Sequence, residues 1–267
     1  SKTTIDISWE LNTEELPIIL AFSTSNRFGI PLGDYSPGDI IDGGGTVLYA
    51  GTGTSFTHEN LEPGTTYYYK IWTKGENNYS AGLFSSETTI CNIFGTNFSI
   101  SFDEATFPNC WDNVSNTEPE ISWIVGNTYG GLYGSGIHYY FLFDSYNYGE
   151  GSIQDADLIS PEFDFSEESS VYLSFNHYFK HRTDHKASLH FSADGGETWN
   201  EYTSWEADTE NPDKFSERIT EVEGKNSVYF KWKYEGSWGW FWCIDSISVT
   251  ANPMVTNKPN VYSKTIE

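Results

Sequence analysis

The residues with the most evident chemistry are aromatic. Trp238-Gly239-Trp240-Phe241-Trp242 follows Trp232 and Tyr234, and a second run comprises Tyr139, Tyr140, Phe141, Phe143, Tyr146 and Tyr148. Side chains alternate across a strand, so Trp238, Trp240 and Trp242 are expected on one face. An exposed row of rings stacks on the apolar faces of sugars while polar neighbours bond the hydroxyls. The same row turned inward is core, and the spacing leaves both placements open. The outward placement makes Trp238, Trp240, Tyr146 and Tyr148 the candidate ligand contacts.

A second cluster carries charge. His177, Lys180, His181, Arg182, His185 and Lys186 gather three of the six His and three of the 14 Lys and Arg residues. In a chain of net charge -24 this local reversal of sign would draw an anionic sugar or a carboxylate-bearing peptide. Arg182 can grip a carboxylate with two parallel hydrogen bonds, with Lys180 and His181 beside it. The other reading is a solvated loop that offsets nearby acids.

Catalysis finds no comparable footing. The chain has no G-x-S-x-G elbow, no H-E-x-x-H and no C-x-x-C. Carboxylate pairs can be drawn at will from 38 acidic residues, but their proximity is invisible in sequence. The expectation is a binding protein, not an enzyme. The strong negative charge argues against nucleic acid and anionic membrane surfaces as partners. No run of about 18 apolar residues is present, which predicts no membrane insertion. With no signal peptide visible, the chain reads as a soluble, monomeric piece of a longer secreted or surface protein.

The elements that must position these groups are strands. With 18 Tyr, 18 Phe, 10 Trp and 24 Gly against one Met, the composition favours β structure, and no amphipathic helix stands out. The fold class is therefore all-β, and 267 residues suffice for two domains with real cores. The clearest stretch is Val171 to Trp199. Val171, Leu173 and Phe175 alternate with polar residues, and Leu189 and Phe191 repeat the pattern after a charged break. The second strand runs into Ser192-Ala193-Asp194-Gly195-Gly196-Glu197-Thr198-Trp199, where Asp194 can bond backbone amides and the glycines can take positive φ. These residues match the S-x-D-x-G-x-T-W Asp box found in sialidases and many other secreted β proteins, a folding device and not an active site. A sialidase would need several boxes and an arginine triad, whereas here Arg27, Arg182 and Arg218 are the only arginines.

Residues 1–92 form the first expected domain. Ile5, Ile7, Trp9 and Leu11 alternate, Pro17 to Ser23 is an apolar run, and Leu61-Glu62-Pro63-Gly64-Thr65-Thr66-Tyr67 precedes a Tyr-rich strand. This pattern resembles fibronectin type III domains, which implies an immunoglobulin-like sandwich with Tyr67 tying a crossover loop back to the backbone. Nothing precedes Ile5 to supply the usual first strand, which trimming or preceding residues of a parent chain would explain. A spacer role is the leading expectation here. The long insertion from Asn26 to Gly45, centred on Tyr35, is the place to seek binding.

Residues 93–253 form the second, with 254–267 a tail or linker. Ser101-Phe102-Asp103-Glu104 to Cys110-Trp111, Ser122-Trp123, Ala156-Asp157-Leu158-Ile159-Ser160-Pro161, the Asp box, and Trp242-Cys243-Ile244-Asp245-Ser246-Ile247 occur in series. In order and spacing they resemble MAM-like cleaved-adhesin domains of gingipain adhesin regions and related bacterial surface proteins. The resemblance implies a jelly-roll sandwich with adjacent first and last strands and a buried Trp242. It also implies a structural calcium at Asp103 and Asp245, with Glu104 a possible addition. A hard cation wants six to eight oxygens, so backbone carbonyls must contribute; the alternative is that these acids merely cap turns. The family's pairing would join Cys91 with Cys110 and leave Cys243 a buried thiol; the rival is Cys110 with Cys243. Together these readings predict non-catalytic recognition of a polysaccharide or surface glycan. The alternatives are an adhesin module for extracellular protein and a spacer.

Overall fold

The computed structural model describes residues 1–128, 132, 138–149 and 151–251. The expected tail, 254–267, lies outside the described residues. The chain divides into two compact units, Ser1–Asn92 and Ile93–Glu267. Both are built from antiparallel strands, and no α-helix occurs among the described residues.

The first unit holds β1 (Ile5–Ser8), β2 (Ile18–Ser23), β3 (Thr46–Gly51), β4 (Ser55–His58), β5 (Thr66–Thr73) and β6 (Leu83–Thr88). β1 pairs with β4, and the other four form a sheet in the order β3-β2-β5-β6. Ile5 from the first sheet meets Ile18, Leu20, Tyr67 and Tyr69 from the second, with Leu61 closing one end. The Tyr67 hydroxyl accepts the Glu62 N–H at 3.0 Å, which ties the crossover to β5 as the Tyr67 reading requires.

The insertion from Asn26 to Gly45 has a structural task. It covers the outer face of the four-stranded sheet, where Ile41 packs with Ile19, Ala21, Val47 and Trp72, and Phe28 and Tyr35 pack against that group. Tyr35 sits 6.3 Å from the Tyr79 ring, Tyr79 donates to the Gly33 carbonyl at 2.8 Å, and Lys74 pairs with Asp34. β2 is consequently buried on both faces, which explains why Ile18, Ile19, Leu20 and Ala21 are all apolar instead of alternating.

The second unit begins with β7 (Asn97–Ile100), β8 (Asp112–Ser115), β9 (Ile124–Gly126), β10 (Tyr140–Phe143) and β11 (Gln154–Ile159). It continues with β12 (Tyr172–Lys180), β13 (Lys186–Ser192), β14 (Asn200–Trp205), β15 (Asp213–Arg218), β16 (Tyr229–Gly236) and β17 (Phe241–Thr250). One sheet runs β15-β12-β17-β10-β9, with β7 also paired to β17, and the other runs β14-β13-β16-β11-β8. The first and last strands are thus neighbours. Between the sheets lies an aromatic core that includes Trp123, Trp232, Trp242, Phe143, Phe175 and Tyr234, all fully or almost fully buried. On the opposite face of the second sheet, alternate positions pair as ions: Lys231 with Asp157 at 3.3 Å, and Lys233 with Asp155 and Glu235 at 3.1 Å each.

Cys91 and Cys110 are disulfide-bonded, and Cys243 is a free thiol buried on β17 whose pKa burial pushes up.

The β13–β14 turn folds as an Asp box. Asp194 accepts the Thr198 N–H at 3.0 Å and the Thr198 hydroxyl, while Ser192 accepts the Gly196 N–H at 2.9 Å. Gly195 and Gly196 take φ of 78° and 90°, which side chains with a Cβ resist. The bonds from Thr198, then Ser192, hold the Asp194 carboxyl at about 2, below its ordinary 3.8. A depressed carboxyl pKa adds stability that is complete above about pH 4 and is lost as pH falls toward 2. Asp194→Asn is expected to lower the melting temperature at neutral pH and to flatten the acid side of the stability profile over that window, read by thermal melts from pH 2 to 7.

Candidate functional site

The turn between β16 and β17 carries Ser237-Trp238-Gly239-Trp240. These residues do not continue a strand, so the expected shared face of Trp238, Trp240 and Trp242 does not form. Trp242 is completely buried in the core, Trp238 is half-buried with φ of 50°, and Trp240 is 43% exposed. The chain turns here because Gly239 has no side chain. A Cβ at Gly239 would stand 2.3 Å from the Tyr234 Oη and 2.6 Å from His185 Cδ2, far inside contact distance.

Tyr146 reaches this turn from a 3-10 turn at Ser145–Tyr148, capped by Asp144, which accepts the Asn147 N–H. Two bonds dock the pieces together: Tyr146 N–H to the Trp240 carbonyl at 3.1 Å, and Gly239 N–H to the Ser145 hydroxyl at 2.6 Å. The Tyr146 ring then lies nearly parallel to both indoles. Its centroid is 5.7 Å from Trp240 at 8° and 6.2 Å from Trp238 at 22°. With planes about 3.5 Å apart in contact, such separations mean a lateral slip of about 4.5–5 Å, so the rings form steps and not a pile.

Arg182 covers the far end. Its guanidinium lies 4.2 Å from the Trp238 centroid and donates to the Trp238 carbonyl at 3.3 Å. His185, itself buried, locks that loop to the turn: Nδ1 is 2.7 Å from the Arg182 carbonyl and Nε2 is 2.8 Å from the Ser237 carbonyl. The row Arg182, Trp238, Tyr146, Trp240 is therefore continuous, and the outer ring, Trp240, is the most open of the indoles in it.

The remaining sequence candidates separate from this row. Tyr148 packs against Phe143 and exchanges bonds with the Ser122 backbone at 2.8 and 2.9 Å, so it braces the segment. Lys180 is paired with Asp208, whose carboxylate also takes the His181 N–H at 2.8 Å, and Lys186 is paired with Glu201 at 2.7 Å. Hydrogen bonds donated to these acids hold both lysines above their ordinary pKa. His177 does not belong to the loop; it lies on β12, buried, accepting the Trp242 indole N–H at 3.3 Å. Burial lowers its pKa to about 4, which leaves it neutral near pH 7. Of the expected cationic patch, Arg182 remains without an acidic partner among the described residues.

For a metal the donors are sparse. Asp245 is buried on β17, its Oδ1 has no hydrogen-bond partner among the described residues, and burial raises its pKa. Asp103 and Glu104 are exposed, following β7, which pairs with the same strand β17. No group of three or more His, Cys, Asp or Glu side chains suited to a metal occurs among the described residues. The orphaned oxygen of Asp245 is the feature that suits a hard cation.

No protein-family model matches the chain, and no curated protein matches it. Solved structures of similar shape include a cleaved adhesin domain of Lys-gingipain from Porphyromonas gingivalis, at 16% identity over 59% of this chain and 99% of that one, with a TM-score of 0.45. TmCBM61 in complex with β-1,4-galactotriose aligns at 15% identity over 52% and 86% of the two chains, TM-score 0.36. The CBM22-1–CBM22-2 tandem of Xyn10C from Paenibacillus barcinonensis aligns at 12% identity over 94% and 80%, TM-score 0.35.

Ring pairs of this kind contribute about 0.5–1.5 kcal/mol each beyond the area they bury. Tyr146→Ala breaks the row at its centre. It is expected to cost about 1–3 kcal/mol in urea unfolding and to change the tryptophan bands of the near-ultraviolet circular dichroism, with the far-ultraviolet spectrum preserved.

Proposed function

We propose that the second unit is a non-catalytic glycan-binding module of a secreted or surface protein, and that it binds through the stepped row ending at Trp240. The observation that carries this reading is the exposed Trp240 ring held in a fixed plane by Tyr146. A preset ring costs little entropy on binding, and its face suits the apolar side of a pyranose. Arg182, without an acidic partner among the described residues, would favour a glycan bearing carboxylate or sulfate. The first unit, a fibronectin type III-like sandwich, serves as a spacer. Calcium is proposed to rest on Asp245, with Asp103 and backbone carbonyls as further ligands and Glu104 as a possible addition. The role is structural, supported by the buried Oδ1 that lacks a partner among the described residues.

The test is titration of the whole chain against a panel of neutral and acidic polysaccharides, with calcium and with chelator. Trp240→Ala is expected to weaken any bound glycan by at least about tenfold. Arg182→Gln should weaken acidic glycans selectively and spare neutral ones. A blank panel with folded protein, or binding that survives Trp240→Ala, defeats the reading.

Asp245→Asn separates the calcium proposal from the glycan proposal. Replacing this buried carboxylate should abolish the rise in melting temperature on adding calcium while the protein stays folded in chelator. No calcium-dependent rise in the unaltered protein would sink the metal assignment.

A further inference from the structure

The two sheets of the second unit each end in an open edge on the same side of the sandwich. β14 pairs with β13 and β15 with β12, and neither has a second neighbour among the described residues. Where the sheets part lies a cleft of about 280 Å³ whose lining includes His177, Trp205, Asp213, Phe215 and Glu217. None of these belongs to the row of Arg182, Trp238, Tyr146 and Trp240. Strand register sets what faces inward: Asp213 stands opposite His177, and Phe215 opposite Phe175. Phe215 stacks on Phe175 at 4.8 Å, and the half-buried Trp205 ring lies 4.6 Å from His177.

The floor of this cleft holds a donor that lacks an acceptor. His177 is 1% exposed, and its Nδ1 accepts from the Trp242 indole, a group that can only donate. The neutral ring therefore carries its proton on Nε2. Nε2 makes no hydrogen bond among the described residues; Asp213 Oδ2 is 3.6 Å away, past hydrogen-bond reach. Buried donors are ordinarily satisfied, and this one is aimed into open space beside a carboxylate. A hydroxyl oxygen about 2.8 Å from both atoms would accept from Nε2 and donate to Asp213. An ammonium group has no lone pair to accept with. A carboxylate or sulfate would meet Asp213 and Glu217, which outnumber the one cation of the lining, Lys214.

We propose that this cleft is a second binding site, taking one neutral sugar residue with a hydroxyl between His177 Nε2 and Asp213 and its apolar face on Trp205. The volume lies just under the roughly 300–1,000 Å³ of clefts for drug-sized ligands, so it suits a single ring, a monosaccharide or a chain end. The middle of a polysaccharide chain is left to the Trp240 row, and either site can fail alone.

The test uses the whole chain, labelled with nitrogen-15 at histidine and titrated at constant ionic strength with the methyl glycosides of glucose, galactose, mannose and xylose. At least one of them is expected to shift the His177 Nε2 resonance saturably, with a Kd in the millimolar range. Methylammonium and acetate should give no saturable shift. Asp213→Ala, at a side chain that is 44% exposed, is expected to weaken the sugar by about tenfold. Trp240→Ala should leave its affinity within about twofold, as for an independent site. No shift with any of the four sugars, a saturable shift with either ion, affinity unchanged in Asp213→Ala, or affinity lost in Trp240→Ala overturns the proposal.

Discussion

Closure of aromatic rings between two sheets is the interaction on which the second unit rests, and β17 is where that closure is fastened. Trp242 sits at the centre, 5.4 Å from Trp123 and 5.7 Å from Trp205, with its indole N–H bonded to His177. An aromatic side chain buries about 150–250 Å², worth up to about 4–6 kcal/mol at 25 cal/mol per Å². In Trp242 the polar edge of the ring also finds a partner. A neutral His177 accepts the hydrogen bond that a charged one would refuse, so the histidine is part of the core and not of the surface charge.

The surface row borrows its order from this core. Tyr234 and His185 stand where they do because they pack against buried rings, and together they leave space at Gly239 for hydrogen alone. The turn so shaped brings both Trp238 and Trp240 alongside Tyr146. Rigid supports of this kind fix a contact surface before any ligand arrives, which is the property that separates a recognition surface from an accidental cluster of exposed rings.

Local patterns were the legible part of the sequence. The Asp box closes within a few residues, and the Tyr67 hydroxyl reaches only as far as Glu62, so short motifs that resemble known ones carry them. The all-β class followed from composition, and the pairing of first with last strand from the resemblance to cleaved-adhesin domains. The site was harder. Trp238 and Trp240 were expected on the face of a strand, but a glycine wedged between them ends it. His177 was grouped with the cationic loop, although Leu173, Phe175, His177 and Phe179 share one buried face of β12, and that period of two was present in the sequence. The neutralising acids Asp208 and Glu201 lie too far along the chain from Lys180 and Lys186 for any spacing rule to join them.

The insertion that roofs the four-stranded sheet of the first unit bears on how the protein stays in solution. Beneath it lie Ile19, Ala21, Val47 and Trp72, a contiguous apolar face on a sheet whose edge strand β6 is exposed along its whole length. Uncovered, that face would add a sticky plane to an already open edge, the combination that drives sheets to stack. Loop length in this unit is therefore constrained by solubility: a shorter connection between β2 and β3 requires polar replacements beneath it.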